Sequence, residues 1–158
     1  MDCREIVWYN QDRIRRITVF SVRKESGECT MAKRFFLCGK CGNIVGLISE
    51  GGGTLSCCGE PMQELVPNTT DAAQEKHVPV VTFDRRGCEV TVQIGTAAHP
   101  MTPEHRIEWV HLQTEKGGQV KHLQAGDAPE AVFHLTDDDK PVAAFAYCNL
   151  HGLWKAEF

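Results

Sequence analysis

The sequence predicts an all-β protein in which a small metal-stapled domain precedes an immunoglobulin-like antiparallel β-sandwich. Three observations support this prediction. Short strand-like runs follow one another at intervals of about 8–12 residues in the second half of the chain, which is typical of such sandwiches. Helical periodicity is scarce. A short, glycine-rich segment carries four cysteines and is too small to bury a core of its own.

Composition and charge exclude several classes of protein. The chain has 158 residues, a net charge of −4 and 42% hydrophobic residues. It therefore has the length of one ordinary domain or two small ones, and no basic surface for nucleic acid. No apolar run approaches the roughly 20 residues that span a bilayer. The start, "MDCREIVWYN", lacks the regions of a signal peptide. We expect a cytoplasmic protein that binds neither membrane nor nucleic acid.

Residues 1–30 differ from the rest of the chain. They combine several arginines with one short apolar stretch, and their two cysteines, Cys3 and Cys29, have no partner spacing. Met31 then begins a segment with the character of a natural protein start. We interpret residues 1–30 as a loosely ordered extension from an upstream start codon. An amphipathic helix or an added strand is the alternative.

Residues 31–67 form the predicted small domain. The turn "EGGGT" separates two short strands, "NIVGLIS" and "TLSCC". Cys38 and Cys41 belong to "LCGKCGN", and Cys57 and Cys58 are adjacent in "LSCCGEPM". Four thiolates suit tetrahedral iron or zinc, but the adjacent pair departs from the usual two-knuckle zinc pattern. These residues leave iron and zinc equally open, and a reducing compartment disfavours disulfides.

Residues 68–158 form the predicted sandwich, which follows the polar linker "VPNTTDAAQ". Alternation is clearest in "CEVTVQIG", where Cys88, Val90, Val92 and Ile94 share one face. The other strand-like runs are "VPVVTF", "HRIEWVHLQ", "QVKHLQ", "EAVFHLT" and "PVAAFAYC". An antiparallel arrangement accounts for these short connections.

A second group of metal-binding residue types is spread along the sandwich. Cys148 and His151 follow the last long apolar strand, and "EKHVPV" and "HPMTPEHRIEW" add His77, His99 and His105. Two prolines prevent a continuous helix in the longer segment, so it forms a loop whose ends can bring two imidazoles together. Four imidazoles and one thiolate suit iron better than magnesium or calcium, and five ligands leave one position of an octahedral ion open.

A histidine taken alone is more often a surface or core residue than a metal ligand. We interpret His111, His122 and His134 that way, because they lie in strand-like stretches without a ligand pattern. One interpretation of the whole chain is a non-catalytic binding module, in which an immunoglobulin-like domain carries a small zinc-stapled unit. Iron in both sites would contradict this module and indicate a redox-active protein.

Six segments together resemble the desulfoferrodoxin family of two-iron superoxide reductases. They are "LCGKCGN", "LSCCGEPM", "EKHVPV", "HPMTPEHRIEW", "GDAPEA" and "YCNLHGLWKAEF", in the family's order, and the resemblance covers residues 31–158. It implies two non-haem irons per chain, one held by the four cysteines of a desulforedoxin-like domain and one by the four histidines and the cysteine of the second group. It also implies one-electron reduction of superoxide to hydrogen peroxide, a homodimer, and a rubredoxin or similar protein as electron donor.

The resemblance also gives roles to the two charged residues that precede His77. It implies that Lys76 attracts superoxide and orients a water molecule that delivers a proton. It implies that the Glu75 carboxylate takes the open position once the iron is oxidised. Taken alone, a Glu-Lys pair before a strand is usually solvated charge.

Overall fold

A computed structural model describes residues 33–158. They form twelve strands and one short helix, so the predicted all-β class is confirmed. Our interpretation of residues 1–30 falls outside the described residues. The elements in chain order are β1 (Phe35–Leu37), β2 (Ile44–Gly46), β3 (Ser56–Cys57), β4 (Glu60–Pro61), β5 (Gln63–Leu65), α1 (Gln74–His77), β6 (Pro79–Asp84), β7 (Glu89–Ile94), β8 (Ile107–Thr114), β9 (Gly118–His122), β10 (Glu130–His134), β11 (Pro141–Cys148) and β12 (Gly152–Glu157).

The first five strands form a small unit with almost no interior. One sheet has the order β2-β1-β5, and β3 pairs with β4 in a two-stranded hairpin. Within residues 33–67 only Phe35 and Cys38 are buried. The Phe35 ring packs on the sandwich, with its centroid 5.0 Å from that of Trp109 and 5.3 Å from that of Phe145. The small unit therefore shares an apolar cluster with the outer face of the sandwich.

The sandwich consists of two antiparallel sheets, β10-β7-β6 and β12-β11-β8-β9. The alternation of β7 buries Val90, Val92 and Ile94 against the inner faces of β8, β10 and β11. Cys148, at the end of β11, belongs to the same core and is fully buried. The loops that leave β7 and β11 therefore begin at fixed points on a rigid core.

Two local features differ from the sequence prediction. We expected the linker to include Gln74, but Gln74–His77 form α1, in which the Val78 N–H donates to the Gln74 carbonyl oxygen at 2.9 Å. We expected Cys88 in the core face of β7, but it precedes that strand with φ at +50° and is half-buried, and its thiol donates to Asp137 Oδ1 at 3.3 Å. No helix within residues 33–158 is long and apolar enough to cross a bilayer.

Candidate metal centres

The four cysteines of the small unit bring their sulfur atoms together. All four Sγ atoms lie within 4.8 Å of one another. The Cys57 sulfur is 3.6 Å from that of Cys41 and 3.9 Å from that of Cys58, and it accepts a hydrogen bond from Asn43 Nδ2 at 3.8 Å. A tetrahedron with metal–sulfur bonds of about 2.3 Å has edges of about 3.8 Å. These distances fit a metal ion rather than disulfides, and all six cysteines in the described part of the chain are free of disulfides.

Left-handed backbone allows the adjacent cysteine pair to contribute both thiols. Cys58 has φ at +52° and Gly59 has φ at +81°. A non-glycine residue in this region is strained by about 1–3 kcal/mol. In the other cysteine pair, the Gly42 N–H donates to the Cys38 carbonyl oxygen at 3.0 Å, and Gly42 itself has φ at +75°. The glycine after each pair therefore permits the tight turn that directs two sulfurs to one point.

The four thiols differ in how readily they ionise. Hydrogen bonds from the backbone N–H groups of Cys41 and Lys40 lower the pKa of Cys38 to about 6. The nearby Cys41 sulfur raises the pKa of Cys57 and raises that of Cys58 to about 12. One thiol thus ionises easily while its neighbours resist a second negative charge. Four thiolates in this volume require a metal ion, which deprotonates coordinating thiols.

The histidines and the cysteine of the sandwich converge on a second point. His77, His99, His105, Cys148 and His151 place one donor atom each within 4.8 Å of all the others. These residues come from α1, from the loop between β7 and β8, from the end of β11 and from the turn that follows it. The proline-broken loop does bring both of its histidines to the group, as its sequence predicts.

The four imidazoles form a square. Consecutive ring centroids are 4.7 Å apart for His77–His99, 4.6 Å for His99–His105, 4.9 Å for His105–His151 and 4.7 Å for His151–His77. The diagonal from His77 to His105 is 6.2 Å. The Cys148 sulfur lies 3.5 Å from His151 Nδ1. Four ring donors around a common centre with one sulfur beside them is the arrangement that the sequence predicted for a five-ligand site.

Hydrogen bonds decide which ring nitrogen faces the group. His77 Nδ1 lies 2.7 Å from the Ala73 carbonyl oxygen and His99 Nδ1 lies 2.6 Å from that of Pro100. A carbonyl oxygen only accepts, so each Nδ1 carries the proton and Nε2 keeps its lone pair. His99 and His105 both have a buried Nε2 without a hydrogen-bond partner. His151 differs from these three histidines, because its Nδ1 rather than its Nε2 faces the group. This Nδ1 lies 3.0 Å from His77 Nε2.

The protonation of the group suits metal binding. Burial lowers the pKa of His77 and His105, and lowers that of His99 to about 4. These imidazoles are therefore neutral at neutral pH and have a lone pair to donate. Burial raises the pKa of the Cys148 thiol, although two backbone N–H groups of the following turn oppose that effect. A bound cation would supply the charge that ionises this thiol.

Two residues that sequence reasoning missed hold the group in place. Asn149 accepts a hydrogen bond from the Arg106 N–H at 2.9 Å and donates one to the Glu104 carbonyl oxygen at 2.8 Å, which ties the β11–β12 turn to the loop that carries His105. The fully buried Trp154 stacks on His77, with centroids 4.7 Å apart. Their position beside the Cys-His pair in the sequence was the available signal.

Glu75 and Lys76 lie on α1 immediately before His77, and both are exposed. In addition to burial, the positive charge of Lys76 lowers the pKa of His77 and His105, whereas the negative charge of Glu75 raises that of His77. Both charges therefore act on the site. The Glu75 carboxylate is not among the five converging donor groups, so its direct contact with a metal stays a prediction.

The other histidines of residues 33–158 lie outside both groups, as the sequence indicates. His111 is buried, and its ring contacts Phe35 with centroids 5.5 Å apart. His122 and His134 are exposed. The two metal-binding groups therefore include some, but not all, of the histidines and cysteines of residues 33–158.

Known proteins match both parts of the chain. The desulfoferrodoxin family matches residues 69–157, and the desulfoferrodoxin N-terminal domain matches residues 30–65. A desulfoferrodoxin from Nitratidesulfovibrio vulgaris is 50% identical over 122 residues, which are 77% of this chain and 94% of that protein. A desulfoferrodoxin homolog from Archaeoglobus fulgidus is 43% identical over 127 residues, or 80% and 98% of the two chains. The crystal structure of the superoxide reductase from Treponema pallidum has a TM-score of 0.67 and 43% identity, and the match covers 79% of this chain and 98% of that one.

The donor sets and the family matches agree. Four thiolates suit one iron, and four imidazoles with one thiolate suit another. Both groups lie within the matched residues, one in each domain family. The cofactors are accordingly two iron ions, one for each group. The chain belongs to the desulfoferrodoxin family.

Proposed function

We propose that the protein is a superoxide reductase, which combines superoxide with one electron and two protons and releases hydrogen peroxide. The observation that carries this proposal is the square of four imidazoles beside the Cys148 sulfur. Five donors leave one position of a six-coordinate ion for a small anion. The similar fold of the Treponema pallidum superoxide reductase supports the same reaction here.

The ligand assignment follows the two groups. In the small domain, residues 31–67, the proposed ligands are the four cysteines: Cys38, Cys41, Cys57 and Cys58. In the sandwich domain, residues 68–158, the proposed ligands of the catalytic iron are His77, His99, His105, Cys148 and His151. When bound, the iron of the sandwich supplies the electron, and a thiolate ligand increases its tendency to do so.

Other residues of the chain orient the ligands, attract superoxide and deliver a proton. The two carbonyl groups that accept from His77 and His99 fix those rings with Nε2 inward. The exposed Lys76 provides a positive charge next to His77 in the chain, which attracts the superoxide anion and orients a water molecule for proton delivery. Glu75 supplies the negative charge that suits the oxidised site.

The products test the reaction directly. Reduced protein exposed to a pulse of superoxide should yield hydrogen peroxide without dioxygen, and metal analysis should find iron in both sites. A superoxide dismutase would release dioxygen. The zinc-stapled binding module would contain no iron and consume no superoxide, so either result would refute the proposal.

Lys76→Ala should slow the association of superoxide by about tenfold at low ionic strength, because it removes a steering charge. Pulse radiolysis measures this rate, and both iron absorption bands should be retained. Lys76→Arg keeps the charge and should restore the rate. Lys140→Ala is the matched control, since Lys140 is 67% exposed and precedes β11, whose opposite end carries Cys148. An unchanged rate in Lys76→Ala would discard the steering role.

Glu75→Ala should leave turnover within about twofold and change the absorption spectrum of the oxidised protein. We expect a small effect on turnover because the negative charge of Glu75 suits the oxidised site better than the reduced one. Glu75→Gln keeps the shape without the charge and should change the spectrum in the same way. Identical oxidised spectra for all three proteins would show that Glu75 never reaches the iron.

Three further assignments rest on the family resemblance and on the cysteines. The electron donor is a rubredoxin or a similar small electron-transfer protein, and the assembly is a homodimer. The compartment is the cytoplasm, where thiols remain reduced and available to metal. Light scattering of the purified protein tests the homodimer, and stopped-flow reduction by a rubredoxin tests the donor.

A further inference from the structure

The turn that follows β7 is hydrogen-bonded to α1, the helix that carries Glu75 and Lys76. The Ala97 N–H donates to the Glu75 carbonyl oxygen at 3.0 Å, and the Thr96 hydroxyl donates to the same oxygen at 3.3 Å. One carbonyl group thus receives two hydrogen bonds from a neighbouring turn. We call this turn, residues 95–97, the clamp.

Gly95 brings the clamp against the backbone of α1. It is buried, has φ at +80°, and its N–H donates to the Val78 carbonyl oxygen at 3.1 Å. A Cβ atom on Gly95 would lie 2.6 Å from the Ala97 carbonyl oxygen, 2.7 Å from that of Glu75 and 2.7 Å from the Lys76 carbonyl carbon. All three are backbone atoms, so no side-chain rotation would relieve the contact. Only glycine permits this approach.

The helix α1 depends on such support. It is a single turn of four residues, and no side chain caps its N-terminus. A turn of this length is not stable by itself, because helix nucleation is unfavourable. Within residues 33–158, the side chains of Glu75 and Lys76 form no hydrogen bond or ion pair that would fix the helix. The hydrogen bonds with the clamp and the burial of His77 therefore hold α1 in position.

We propose that the clamp is a positioning element for superoxide reduction, with Gly95 and Thr96 as its positioning residues. It fixes α1, and with it the Lys76 residue that directly precedes His77, relative to the imidazole square. The same turn leads directly to His99, so the clamp keeps the charge and one ring of the square in a constant relation. This inference rests on the steering role proposed for Lys76.

The test compares two glycines with nearly equal positive φ angles. Gly95→Ala should slow superoxide association by about as much as Lys76→Ala, because α1 is displaced. Gly53→Ala is the control, since Gly53 has φ at +81° and open space around its Cβ position. The Gly95→Ala, Lys76→Ala double variant should be no slower than Lys76→Ala alone, because the glycine acts through the lysine.

Thr96 provides a milder variant, because its side chain is exposed. Thr96→Val removes the hydroxyl donor and should slow association, whereas Thr96→Ser keeps the donor and should restore the rate. Both variants should retain the iron content and both absorption bands of the unmodified protein. Equal rates for Val and Ser at this position would overturn the role of Thr96.

Hydrogen exchange of the iron-loaded protein, measured by mass spectrometry, gives a readout that does not depend on activity. Peptides that contain residues 74–78 and 95–97 should exchange faster in Gly95→Ala and at an unchanged rate in Gly53→Ala. Unchanged exchange in Gly95→Ala would overturn the clamp itself. Faster exchange with normal association, while Lys76→Ala is slow, would overturn the positioning role. A normal rate in Lys76→Ala would refute the steering role and the positioning of Lys76 with it, while exchange would still decide whether the turn holds α1.

Discussion

Cys148→Ser should lower the rate of superoxide reduction by more than about a hundredfold, since the loss of a hydrogen-bond partner to a metal ligand alone typically costs 10- to 100-fold. Cys148 is fully buried at the end of β11, and its sulfur lies 3.5 Å from His151 Nδ1. A serine oxygen is a harder and less polarisable donor, so it pushes less electron density onto the iron. Pulse radiolysis gives the rate, and the absorption band of the reduced or oxidised site reports the change of donor.

Cys88→Ser is the matched control for this substitution. Cys88 also lies in the sandwich, but it is half-buried and belongs to neither metal-binding group. Its replacement should leave the rate and both absorption bands unchanged. If Cys148→Ser retained the full rate, the proposed five-ligand site would be wrong. If Cys88→Ser were as slow, the effect would reflect folding of the sandwich rather than loss of a ligand.

Cys57→Ser should abolish the colour of the four-thiolate iron and disorder the small unit. Only two residues of that unit are buried, so we expect metal binding to supply most of its folding free energy; structural zinc contributes about 10–16 kcal/mol in zinc-finger peptides. Amides of β1, β2 and β5 should lose their protection from hydrogen exchange, while those of β7, β8 and β11 should keep it. Ser56→Ala, at the exposed neighbouring position, is the control and should change neither property.

The same variant reports whether the first iron passes electrons to the second. A parallel collapse of turnover with an external donor would support a relay between the two sites. Undiminished turnover would show that the donor reduces the sandwich site directly. Retained order in the small unit without its iron would contradict the stabilising role of the metal.

The residue types that bind metal could be identified from the sequence because their chemistry is local. The cysteine pairs and the glycines that follow them predict tight turns, and the prolines between His99 and His105 predict a loop. Convergence of these residues is a property of the fold, and here the family resemblance gave the correct expectation. The alternating pattern of β7 likewise predicted the buried face formed by Val90, Val92 and Ile94.

The features that sequence reasoning missed depend on contacts between distant segments. The helix α1 is too short to have periodicity, and the turn that holds it lies about 20 residues later in the chain, a separation that sequence patterns do not reveal. The stacking of Trp154 on His77 and the two hydrogen bonds of Asn149 also join separate segments. Which ring nitrogen of His77 and His99 faces the centre of the group follows from backbone carbonyl groups, which carry no sequence signal.

The docking of Phe35 on Trp109 and Phe145 also limits how such proteins can be shortened during evolution or in the laboratory. A sandwich produced without its N-terminal partner would present an indole and a phenyl ring to water. Such a fragment would tend to self-associate unless polar substitutions accompanied the truncation. The surface of each half is therefore matched to the other at this contact, and separating the halves would require a change to the exposed rings.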